Sequence, residues 1–116
     1  MHVDHPTMVA ALAKDAGDIL ETLTRQRVHA LHMASGIGGE AGEVLDEIKK
    51  SVMHNKPFNV QKITEELGDL EFYLEGLRQG FGITREEVIT SNIKKLSKRY
   101  GKTYSDQAAH ARIDKA

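Results

Sequence analysis

A chain of 116 residues with 16 Lys and Arg against 17 Asp and Glu carries a net charge of −1, too balanced for a protein whose main work is coating nucleic acid. Its length fits one domain, small enough that assembly would help it. With no cysteine it has neither a disulfide framework nor a thiolate metal site, and a reducing compartment, the cytoplasm, is the expected location. The opening residues, Met1-His2-Val3-Asp4-His5-Pro6, lack a basic start and an apolar run, and no stretch has the length of a membrane span, so a soluble protein is expected.

Pro6 and Thr7 suit the first turn of a helix, where proline's missing N–H would be unpaired in any case. Met8, Leu12, Ile19, Leu20 and Leu23 carry this first predicted helix to about Thr24, with Gly17 as an interruption. A second helix is predicted from about Arg27 to Val52, where Leu31, Ile37, Ala41, Val44, Leu45, Ile48 and Val52 recur at steps of three and four. Asn55-Lys56-Pro57 ends it, since the residue before a proline is pushed out of helical geometry. Asn59 is the predicted N-cap of a third helix, with Ile63, Leu67, Leu70, Leu74 and Leu77 on one face and Gly80 and Gly82 at its close. Thr84 with Glu87 forms a capping box, and Val88, Ile89, Ile93 and Leu96 carry a fourth helix to Gly101. Met8, Met33 and Met53 read as core. There is no strand alternation and no repeat, so the predicted fold is all-α and four-helix-bundle-like, with residues 1–104 as the domain and 105–116 as a C-terminal tail.

Charge is segregated along these helices. Acids crowd the middle of the chain, at Glu40, Glu43, Asp46 and Glu47 and again at Glu65, Glu66, Asp69, Glu71 and Glu75. Between Val88 and Ser105 there are five bases, Lys94, Lys95, Lys98, Arg99 and Lys102, and no acid. Glu40 and Glu43 are spaced i, i+3, as are Glu66 and Asp69, so each pair leaves adjacent turns in nearly one direction. Two such pairs on neighbouring helices could converge. Four converging carboxylates repel one another and are costly to desolvate, and a cation relieves both. Oxygen-only donors select a hard ion, Mg²⁺ first, with Mn²⁺ as the alternative. The bland alternative is a pair of solvated acidic helix faces, and spacing alone does not decide between them.

Three glycines ahead of and between these acids, Gly38, Gly39 and Gly42, each cost a helix roughly 1 kcal/mol against alanine. Close approach of another backbone or a phosphate to the helix presenting Glu40 and Glu43 would account for them. Other motif readings fall away. Gly36-Ile37-Gly38-Gly39-Glu40-Ala41 matches a loose dinucleotide pattern, but no strand precedes it. A di-iron carboxylate bundle needs Glu-x-x-His, which this chain lacks. His29 and His32 have no further obvious ligands for zinc and read as polar lining or partly buried surface.

The ordered blocks His32-Met33-Ala34, Gly39 to Lys50 (Gly-Glu-Ala-Gly-Glu-Val-Leu-Asp-Glu-Ile-Lys-Lys), Glu65-Glu66-Leu67-Gly68-Asp69-Leu70 and Asn92 to Tyr100 give the chain its kinship. From about His32 to Tyr104 it resembles the MazG-like all-α nucleoside triphosphate pyrophosphohydrolases, particularly the short phage-type members. The resemblance implies hydrolysis of a (deoxy)nucleoside triphosphate between the α and β phosphates, in the cytoplasm or, if phage-encoded, in the host's. It implies Glu40, Glu43, Glu66 and Asp69 as Mg²⁺ ligands and catalytic acids, with Glu47 and Glu65 orienting water or the ligands. Asn92 and Lys95 fall where the family contacts the phosphates, and Arg99 and Tyr100 follow in the same block; Lys95, with Lys49 or Lys94 as lesser candidates, would neutralise the departing pyrophosphate. Relatives often cover the base with tryptophan; this chain has none, which leaves His29, His32, Phe72, Tyr73 or a partner's aromatic for stacking.

A thin core and the resemblance together imply a homodimer or a dimer of dimers, with neither nucleic acid nor a membrane as partner. The competing functions are a pyrophosphohydrolase of another metabolite, such as a phosphoribosyl nucleotide or an alarmone, and a noncatalytic helical interaction module.

Overall fold

The computed structural model describes residues 2–101, and the predicted tail lies outside them. These residues form five α-helices and no strand: α1 (His5–Leu12), α2 (Ala16–Glu21), α3 (Arg25–Met53), α4 (Val60–Phe81) and α5 (Arg85–Tyr100). The all-α expectation holds. Among the described residues no helix is long and apolar enough to cross a membrane.

The single helix expected before Thr24 is two helices. Ala13 leaves the helix in an extended conformation, and Asp15, also extended, becomes the N-cap of α2. The break therefore precedes Gly17, which lies inside α2. Thr24 is likewise a beginning: its hydroxyl accepts from the Arg27 N–H at 3.2 Å and starts α3. Local signals downstream perform as predicted. Asn59 accepts from the Lys62 N–H at 3.0 Å, and Thr84 and Glu87 form the reciprocal box that opens α5. Gly80 stays within α4; the left-handed residue that ends the helix is Gly82, at φ 66°.

α3 and α4 are antiparallel and form the extensive helix–helix interface among the described residues. Its seam is cut to shape by glycines other than those singled out from the sequence. Gly36 faces the Tyr73 ring, Gly76 faces Met33, and Gly80 faces His29, each so closely that a Cβ would collide. Hydrogen bonds fix the same end: His29 Nε2 pairs with the Gly76 carbonyl at 2.8 Å, and the Gln26 amide donates to the Gly80 carbonyl at 3.1 Å. The contacts of 29 with 80, 33 with 76 and 36 with 73 define a register that, continued, sets Glu40 opposite Asp69 and Glu43 opposite Glu66.

Within one chain the core is thin. Met33 is the only buried apolar side chain described, whereas Met8 and Met53, read as core, are exposed at 44% and 72%. Ile37, Val44 and Ile48 of α3 and Ile63, Leu70, Leu74 and Leu77 of α4 are half-buried in the seam. Ile19, Leu23, Leu31 and Phe81 line an open apolar groove between α2 and α3. The radius of gyration is 20.1 Å, where a compact domain of this size would have about 13 Å.

Candidate functional site

The α3–α4 register gathers acids from both helices. One carboxylate oxygen each from Glu40, Glu66 and Asp69 lies within 4.8 Å of the others. Glu66 is buried at 7% exposure, Glu40 is half-buried and Asp69 is open. Glu43 is exposed and stands outside that tight group, although its charge is felt at Glu40.

The electrostatics follow from this crowding. The Glu40 carboxyl is held above its ordinary value, first by partial desolvation and then by the negative charges of Asp69, Glu66 and Glu43. A raised carboxyl pKa means the folded chain holds this proton more readily than the unfolded one. Ionised Glu40 therefore costs stability above its folded pKa and ceases to do so as the pH falls below it.

Against these acids stands one lysine. Lys62 Nζ lies 3.2 Å from Glu66 Oε1, and that hydrogen bond, followed by the charges of Glu66, Glu65 and Glu47, raises the lysine's pKa. Nothing in the sequence reading had singled it out, though its i, i+4 spacing to Glu66 was a usable signal. Glu47, whose side chain is largely covered, pairs with Lys50 at 3.5 Å. Three carboxylates with one ammonium leave uncompensated negative charge in a half-buried, all-oxygen donor set. That chemistry fits a hard divalent cation.

The remaining predicted residues are not brought to the cluster within one chain. Lys49 lines a shallow depression with Asp46, Lys50, Met53 and His54. Asn92 and Lys95 are exposed on α5, Arg99 and Tyr100 are half-buried near its end, and α5 has no extensive interface with α3 or α4. His32 is exposed and meets the Tyr73 ring edge-on at 6.3 Å between centroids, with Phe72 on Tyr73 at 5.1 Å. Among the described residues, nothing lies within 4 Å of where a Cβ would stand at Gly38, Gly39 and Gly42, so none of those residues makes the close approach inferred for them.

The family model of the MazG nucleotide pyrophosphohydrolase domain matches residues 28–103. Neither a curated protein nor a solved structure matches the chain. The matched span covers close to two thirds of the sequence and contains the whole α3–α4 hairpin apart from the first turn of α3, the acid cluster, and α5. The chain belongs to the MazG nucleotide pyrophosphohydrolase family.

Proposed function

We propose that the protein hydrolyses (deoxy)nucleoside triphosphates between the α and β phosphates, releasing a nucleoside monophosphate and pyrophosphate. Glu40, Glu66 and Asp69 would hold Mg²⁺, or Mn²⁺ in its place, with Glu43 joining from the next turn of α3. The observation that carries this reading is the meeting of three carboxylates from two helices, one of them buried, in a chain of this family. A bound dication there would neutralise phosphoryl oxygens and acidify a coordinated water.

The chain's own residues divide the remaining work. Glu47, largely covered and near enough for its charge to act on Lys62, orients the attacking water or accepts its proton. Asn92, Lys95 and Arg99, with Tyr100, bind the phosphates and neutralise the departing pyrophosphate, Lys49 being a lesser contributor. His32 and Tyr73 offer a face to the base. Because α5 lies apart from the acids of its own chain, the phosphate-binding block meets them across a subunit contact. The exposed apolar side chains of α1, α2 and α5 support that assembly, a homodimer or a dimer of dimers.

Two measurements test this. Incubation with each common NTP and dNTP, with Mg²⁺ or with chelator, should yield monophosphate and pyrophosphate in equal amounts and only with metal. Diphosphate plus phosphate would refute the bond assignment, and inactivity on every nucleotide would favour the interaction module. Sedimentation velocity at micromolar concentration should give a dimer or tetramer, and a monomer would remove the shared site.

A further inference from the structure

Glu66 is the one charged side chain buried among the described residues, and its ion-pair partner is a lysine from the turn before it on α4. Helix physics disfavours a lysine at that place. Lys62 stands in the first turn of α4, beside the positive end of the helix dipole, in a turn that carries no acid. The order of the pair, lysine before glutamate at i, i+4, is also the weaker one. Nor is the side chain held by burial, since it is 46% exposed. What holds it is Glu66, the buried member of the acid cluster, at 3.2 Å, with the charges of Glu65 and of Glu47 on α3 adding to the attraction.

We infer that Lys62 is the resident counter-ion of the acid cluster, its ammonium neutralising Glu66 and opposing the divalent cation that the same carboxylate would hold. The inference rests on the metal reading of Glu40, Glu66 and Asp69. Lys62 touches no reacting atom in this account; it acts through Glu66 and sets how tightly the nucleotide-free site takes its ion. A lysine that merely braced the helix would weaken ion binding when lost, because its removal would loosen a ligand. A counter-ion does the opposite, since its removal returns a full negative charge to the site.

The test is a titration of the full-length protein with Mn²⁺ in the absence of nucleotide, following loss of the free-ion electron paramagnetic resonance signal. Lys62→Met keeps the stem and removes the charge, Lys62→Gln is a second neutral variant should the first not fold, and Lys62→Arg keeps the charge. The neutral variants should bind Mn²⁺ on the order of threefold to tenfold more tightly than wild type, the Coulomb effect of one half-exposed charge a few ångströms away. Lys62→Arg should stay within about twofold of wild type. Melting curves give an independent readout: without metal the neutral variants should melt below wild type, and the rise on adding Mn²⁺ should be larger in them. Equal or weaker Mn²⁺ binding by the neutral variants, with wild type binding normally, overturns the role of Lys62 and leaves the metal site standing. Wild-type protein that leaves the Mn²⁺ signal unchanged overturns the metal reading and this inference together.

Discussion

Glu66→Gln should lower kcat/KM on the order of 10²–10³-fold or more while leaving the fold intact. Glu66 is the buried member of the acid cluster, and its replacement by an isosteric amide removes a full charge from the donor set proposed for the ion. A loss of that size corresponds to about 3–4 kcal/mol of transition-state stabilisation. Stability should move the other way or not at all. In the metal-free chain the amide relieves the repulsion that Glu66 exerts on Glu40, and it gives up the ion pair with half-exposed Lys62, a bond of modest worth at such exposure. Activity lost with the melting temperature held is therefore the expected signature, read from steady-state kinetics and thermal melts of the same preparation. A variant that retains wild-type turnover would remove Glu66 from the chemistry.

Gly36→Ala should destabilise the protein by about 1–3 kcal/mol, net of the roughly 1 kcal/mol that alanine returns to a helix interior. The added methyl would overlap Cδ1, Cε1 and Cγ of Tyr73, a rigid ring with its flanks already engaged by His32 and Phe72. Gly76→Ala should cost less, because its methyl would meet the flexible thioether of Met33. Gly39→Ala should behave oppositely. None of the described residues lies near that position, so alanine should stabilise the isolated helix while harming assembly or turnover if a second subunit or a phosphate comes close there. Urea denaturation at one fixed protein concentration compares the three. Gly36→Ala as stable as wild type would contradict the packing described for the α3–α4 seam.

What was legible in the sequence was local. Asn59, and Thr84 with Glu87, satisfy backbone groups within three residues of themselves, so their roles follow from spacing. The i, i+3 spacing of the acid pairs is equally local, so each pair is legible without coordinates, although Glu43 stands outside the group that Glu40, Glu66 and Asp69 form. Which acids would meet was a matter of register, and register is set by His29 against Gly80, Met33 against Gly76 and Tyr73 against Gly36, contacts between residues far apart in the chain. Glycine content signals close helix approach, but spacing alone does not say which glycines make it within the chain. Among the described residues Gly36, Gly76 and Gly80 make the close approaches, while Gly38, Gly39 and Gly42 meet none of them. The break before α2 was missed for a related reason: Gly17 drew attention, whereas Asp15, an ordinary N-cap residue, starts the new helix. Lys62 is overshadowed in the sequence by the denser basic block on α5, although it lies one turn from Glu66 on α4.

A divalent ion bound between α3 and α4 is the centre of the proposed catalysis. Anomalous difference maps from crystals grown with Mn²⁺ measure this directly. A peak is expected within bonding distance of Glu40, Glu66 and Asp69 in wild type and should vanish in Glu66→Gln under the same conditions. A wild-type map with no peak there, or with its Mn²⁺ at some other set of residues, would contradict it.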